Sequence, residues 1–179
     1  MNKVILGLDV STSRVGLSII DYDKNLLKCE FIKLNSKDEL EDRCLVLENY
    51  ISNICCYNSI NNRGYCIDRV FIESPFIMFS GGKTTAMTMA KLQRFNGMVC
   101  YMVKKVLGVT PVSIAANKAR GLIGLKIKRG EDTKKKVIEW TQGEYPDDFV
   151  VEYTRYGNPR PGTDDMADSV VIARAGLLI

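Results

Sequence analysis

The sequence predicts an α/β fold, a mixed five-stranded sheet flanked by helices, on three observations. Strand-like runs follow one another at the start of the chain, later strand-like runs alternate with segments of helical period, and two of the apolar runs end in a lone acid.

Residues 3–10, 16–21 and 26–34 read as strands separated by the polar turns Ser11-Thr12-Ser13-Arg14 and Asp21-Tyr22-Asp23-Lys24-Asn25, which predicts an antiparallel meander. Over 37–57 the apolar residues Leu40, Cys44, Leu47, Ile51 and Ile54 recur at three- and four-residue steps, so a helix follows. The Asn-rich stretch 58–64 breaks it. Residues 68–73 form a fourth strand ended by Ser74-Pro75, since proline cannot donate to a ladder. A long helix is expected over 85–107, studded with Met87, Met89, Leu92, Phe95, Met98, Val99, Met102 and Val103. A short fifth strand at 109–112 and helices at 114–122, 132–141 and 165–177 complete the chain, with Asp164 placed to cap the last helix. An antiparallel trio followed by strands joined through helices is the order of the ribonuclease H-like fold.

A chain of 179 residues with 46% hydrophobic content fits one domain, 1–179, with a sizeable core. No stretch approaches the ~18 consecutive apolar residues of a membrane span. Strand-like sequence begins by Lys3, leaving no room for a signal peptide, so a soluble, cytoplasmic protein (of a host cytoplasm if phage-encoded) with no membrane partner is expected. The six cysteines form no CxxC pair and there is no histidine to complete a zinc set, so they read as small core residues. The absence of histidine also excludes Ser-His-Asp, Cys-His and histidine general-base schemes. Hydrolysis by this chain must rest on carboxylates, lysine or metal-bound water.

Asp9 follows the apolar run Val4-Ile5-Leu6-Gly7-Leu8, and Glu73 closes Val70-Phe71-Ile72. Both runs read as buried central strands, where an unpaired ionised side chain costs on the order of several kcal/mol. A third cluster, Asp164-Asp165-Met166-Ala167-Asp168, places Asp165 and Asp168 on one helix face. Taken singly, Asp9 fits a turn, Glu73 an ion pair, and Asp164 and Asp165 a helix dipole. Their joint occurrence at two strand ends and a helix start points to a shared cation site. Hard oxygen ligands select Mg²⁺ or Mn²⁺, and two such ions about 3.5–4 Å apart can cleave a phosphodiester, leaving a 5′-phosphate and a 3′-hydroxyl.

Between Lys118 and Lys136, eight bases (Lys118, Arg120, Lys126, Lys128, Arg129, Lys134, Lys135, Lys136) face two acids, Glu131 and Asp132, in a chain whose net charge is +4. A basic surface beside an acidic cluster is what a metal-dependent nuclease requires: cations for phosphates, acids for metal. Ser80-Gly81-Gly82-Lys83-Thr84 is not a Walker loop, because Ile77 stands where its first glycine belongs.

The segment Leu6-Gly7-Leu8-Asp9-Val10-Ser11-Thr12-Ser13-Arg14-Val15-Gly16, the strand end Phe71-Ile72-Glu73 and Asp165-Met166-Ala167-Asp168 resemble the RuvC-type Holliday-junction resolvases along nearly the whole chain. The resemblance implies a homodimeric Mg²⁺-dependent endonuclease, with Mn²⁺ as substitute, that nicks paired strands of four-way and other branched DNA. Its catalytic and metal-binding tetrad would fall on Asp9, Glu73, Asp165 and Asp168. An aromatic that unstacks DNA would be Phe76, with Phe79 competing. The DNA-binding candidates are Lys83, Lys118, Arg120, Lys128, Arg129, Lys134 and Lys135, with one of Lys134 to Lys136 matching a family phosphate contact. Dimerisation would use the helix over 85–107. Some relatives carry a histidine in the last helix; here Asp168 must serve instead. The role of Asp164, cap or outer ligand, stays open.

The rivals share parts of this pattern. Ribonuclease H-like proteins of pre-ribosomal RNA processing open similarly but lack the strand-end glutamate. Sugar-kinase and actin-type ATPases need two lobes. The alternatives are a broader branched-DNA or RNA-processing nuclease of the same fold and a junction-binding protein with a decayed active site, and the presence of all four acids speaks against decay.

Overall fold

The computed structural model describes residues 3–55, 64–75 and 85–179. Phe76, Phe79 and Lys83 lie outside the described residues, as does most of the Asn-rich stretch. The elements are β1 (Lys3–Val10), β2 (Arg14–Asp21), β3 (Leu26–Lys33), α1 (Leu40–Cys55), β4 (Cys66–Glu73), α2 (Ala86–Leu107), β5 (Val112–Ile114), α3 (Ala116–Leu122), α4 (Thr133–Glu144) and α5 (Thr163–Gly176).

The strands form one sheet in the order β3-β2-β1-β4-β5. β1, β2 and β3 are antiparallel, while β4 lies parallel to both β1 and β5. Side-chain alternation sorts each central strand between two cores. Val4, Leu6 and Leu8 of β1 join Leu47 and Ile51 of α1 and Phe95, Val99 and Met102 of α2 on one face. Ile5 of β1 and Phe71 of β4 join Ala119 of α3, Val137 of α4 and Val170 and Ala173 of α5 on the other. Three layers result, with the sheet in the middle.

α5 is buried along most of its length. It lies against β1 and β2 closely enough that a Cβ on Gly7 would stand 2.3 Å from the Ser169 carbonyl oxygen, and one on Gly16 would stand 1.9 Å from that of Asp165. Both strands therefore require glycine beneath the helix. Ser18 completes the seam: its hydroxyl donates to the Ser169 carbonyl at 2.7 Å, satisfying a buried polar group.

Two expected details differ. The fifth strand is Val112–Ile114 rather than 109–112, because Pro111 has no N–H for a ladder and disfavours helix in the residue before it; pairing with β4 starts only after the proline. Asp164 does not cap α5. The cap position is Gly162, at φ 99° with no side-chain bond, and Asp164 lies within the first turn, hydrogen-bonded to Lys134.

Candidate metal centre

Because β1 and β4 are parallel neighbours, their C-terminal ends coincide, and Asp9 and Glu73 close those ends. Asp9 shares the strand face of Ile5 and Gly7, the face that α5 covers. Its partner across the β1–β2 ladder is Gly16, over which the Asp165 backbone sits. Strand pairing and helix packing thus bring the first acid, the fourth-strand acid and the α5 acids to one end of the sheet.

Electrostatics report the proximity. Burial, then the charges of Glu73 and Asp168 and more weakly Asp165, drive the Asp9 carboxyl well above the ordinary aspartate range. Asp9 keeps some solvent access yet is densely surrounded, and Glu73 is near enough to accept a hydrogen bond from its protonated form. Asp168 is pushed up to about 7 by burial first and by Glu73 second, with Arg120 pulling the other way. Asp165 is raised by burial and by Asp164, against the lowering influence of Arg14 and Lys134. Asp164 also feels burial, but the hydrogen bond and charge of Lys134 win, and its carboxyl lies below the usual range.

Among the described residues, no three acids close on one point tightly enough to hold an ion as the side chains stand. Two of them have turned to cations instead. Asp165 faces Arg14, with Oδ2 2.8 Å from Nε, and Asp164 takes the Lys134 ammonium. The four residues nevertheless fit a divalent ion. The donors are all oxygen, three of the carboxyls are forced toward protonation by burial and mutual repulsion, and Asp165 Oδ2 is a buried oxygen without a hydrogen bond. A hard divalent cation relieves all three conditions.

Positions around the acids are held by residues the sequence did not single out. Buried Asn96 of α2 donates to the Glu73 carbonyl at 3.1 Å, and Ser74 N–H donates to the Ile114 carbonyl, fixing the end of β4 from two sides. Ser11 ties the β1–β2 turn: its hydroxyl donates to the Arg14 carbonyl and accepts from Arg14 N–H. A lone asparagine in a long helix and a serine in a polar turn give no signal by spacing. Arg14 belongs to that turn and to the opening motif, and neither context gives its side chain a role of its own.

The basic candidates divide. Arg120 and Lys134 border the acids and act on them electrostatically. Lys118 is exposed on α3. Lys128 and Arg129 line, with Arg120 and Asn117, a hollow of about 480 Å³. Lys135 is exposed, its ammonium 3.9 Å from Glu139. A larger groove of about 610 Å³ lies beside the acids rather than on them, lined by Lys134, Lys135, Tyr153, Arg160 and Asp164 among others.

No family model matches the sequence, and no curated protein is similar to it in sequence. Solved structures are similar in fold. RuvC of T. thermophilus in complex with Holliday junction substrate superposes with a TM-score of 0.65 at 16% identity, covering 97% of this chain and 92% of that one. The yeast mitochondrial Holliday junction resolvase Ydc2 gives 0.55 at 14% identity, over 97% of this chain and 77% of its own. The fowlpox virus resolvase in complex with substrate Holliday junction DNA gives 0.52 at 16% identity, over 97% and 96%. At these identities the likeness is one of fold, and the ribonuclease H-like sheet expected from the order of elements is the sheet these proteins share with this chain.

Proposed function

We propose that this chain is a divalent-metal-dependent DNA endonuclease that resolves four-way junctions by hydrolysing phosphodiesters to a 5′-phosphate and a 3′-hydroxyl. The observation that carries it is the meeting of Asp9 and Glu73, at the ends of parallel β1 and β4, with Asp165 and Asp168 of α5. The fold shared with three junction resolvases supports the substrate class.

In this reading Asp9, Glu73, Asp165 and Asp168 hold Mg²⁺ or Mn²⁺. When bound, the metal supplies an activated water and neutralises charge on the leaving oxygen. The protein's own contribution is placement. β1 and β4 fix two carboxylates on rigid strands, and α5 fixes two more on a helix locked by Gly7, Gly16 and Ser18. Arg120 and Lys134 stand where a phosphodiester would approach the acids and offset its charge. The 1–179 chain acts as a single nuclease domain.

Paired nicks need two sites, and we propose a homodimer through the outer face of α1 and α2. That face exposes Leu45 and, at 73%, Tyr101 around a groove of about 560 Å³. Sedimentation of the free protein as a dimer is expected; a monomer even on junction DNA would remove this part.

The deciding experiment is cleavage of a mobile four-way junction and its matched linear duplex with Mg²⁺ and with EDTA. Symmetric, Mg²⁺-dependent nicks on the junction alone are expected. Equal cutting of flaps, forks or duplex would widen the function to a branched-DNA nuclease, and tight binding without cutting would replace it with a junction-binding role.

A further inference from the structure

We infer that Arg14 is a positioning residue that holds Asp165 before the metal arrives, yields it to the cation, and then binds a phosphate of the strand to be cut. The inference rests on the metal-dependent reading above and assigns a role to a residue that reading leaves idle.

The pair has an unusual form. Arg14 Nε and Asp165 Oδ2 are 2.8 Å apart and both buried, yet neither atom has a hydrogen-bond partner of acceptable geometry. The charges touch without the directional bond that makes an arginine–carboxylate pair strong. Among the described residues neither Nη group has a hydrogen-bond partner. The guanidinium fork is therefore held by one misaligned contact, with both Nη groups and their four N–H donors unused. Lys134 and Asp164 differ: that pair is properly hydrogen-bonded, and its lysine is 70% exposed, an ordinary surface ion pair of small worth.

Place and chemistry fix what the unused donors are for. Arg14 opens β2, two residues before the Gly16 that pairs with Asp9, and the doubly bonded Ser11 turn holds its backbone. Its side chain is 32% exposed against 12% for Asp165, so it spans from solvent to the acids. A guanidinium stays protonated at any working pH, so this counter-ion cannot leave by titration. It leaves only by displacement. A divalent cation on Asp165 repels the guanidinium across the same oxygen, and the nearest new anion for a planar fork at the rim of the acids is a backbone phosphate. Metal binding and substrate binding are thereby linked through one side chain.

The test is Mn²⁺ titration by calorimetry, together with junction binding in non-cleaving Ca²⁺, for the wild type, Arg14→Gln, Arg14→Lys and Asp165→Asn. Melting curves serve as the fold control. Arg14→Gln is expected to bind Mn²⁺ several-fold tighter, because the competitor is gone, and to bind the junction several-fold more weakly. Arg14→Lys keeps the charge and loses the fork, so its Mn²⁺ affinity stays near wild type while junction binding falls. Unchanged or weaker Mn²⁺ binding by a folded Arg14→Gln overturns the displacement, and unchanged junction affinity in both Arg14 variants overturns the phosphate role. Failure of the underlying reading looks different: wild type and Asp165→Asn would both bind no Mn²⁺.

Discussion

Gly16 and Asp165 touch through their backbones: a Cβ on Gly16 would stand 1.9 Å from the Asp165 carbonyl oxygen and 2.4 Å from its carbonyl carbon. Backbone cannot swing aside as a side chain can, so any larger residue must lift the start of α5 from the sheet. Gly16 is also the ladder partner of Asp9. Gly16→Ala is therefore expected to cost about 1–3 kcal/mol by overpacking, and to separate Asp165 from Asp9. Thermal melting reads the first effect and junction cleavage the second; a variant that melts and cuts like wild type would show the close approach to be relaxed in solution.

Asp9→Asn keeps shape and removes charge. It is expected to bind junctions at least as well as wild type, since a negative group leaves the end of the sheet where the proposed function places the DNA. Cleavage should fall by about 10²-fold or more, the scale of losing one preorganised electrostatic group. Gel shifts in Ca²⁺ and cleavage in Mg²⁺ measure the two arms, and equal cleavage would take Asp9 out of the centre.

Stability without metal should depend on pH in an unusual direction. Asp168 is raised from 3.8 to about 7 in the folded protein, and Asp9 is raised as well, so between these values the folded state holds protons that the unfolded chain has released. Stability contributed by the protonated carboxyls is complete below about pH 4 and is lost as pH climbs through about 7. Melting temperature in EDTA should thus carry a falling component across this window, and Mg²⁺ should remove most of it at pH 7–8. A shallower fall in EDTA for Asp168→Asn, with Asp9 carrying the remainder, identifies the group; the same fall in that variant as in wild type would assign it elsewhere.

Lys134 reaches the acids from α4 and is mostly exposed. Lys134→Gln should weaken junction binding and lower the slope of log affinity against log salt by about 0.9, the release of one counterion. An unchanged slope would return Lys134 to the role of partner to Asp164.

The legible parts of the fold were those with local signals. β1 was readable to the residue because an apolar run begins and ends sharply between Lys3 and the Ser11 turn, and α2 to within one residue because its period is long and Thr85 caps it. The pairing of β1 with β4 followed from the order of elements, and the acids at their ends came with it. β5 was displaced because its start is set by its β4 partner and by Pro111 rather than by its own composition. Arg14 and Asn96 escaped for a common reason: each acts through a residue distant in sequence, Asp165 and Glu73 respectively. Spacing along the chain carries no trace of such contacts.

The packing of α5 against β1, β2, β3 and β4, and against α3 and α4, has a kinetic consequence. A helix that covers most of the sheet cannot fray alone, because lifting it exposes the core formed with Ile5, Phe71 and Val170. Its amides should exchange with solvent as slowly as those of the central strands. The acids of β1 and β4 meet those of α5 only when the last helix has docked, so a growing or truncated chain lacking α5 carries half the carboxylate set and an open sheet face. Under the proposed function, cleavage would therefore be withheld until the fold has closed.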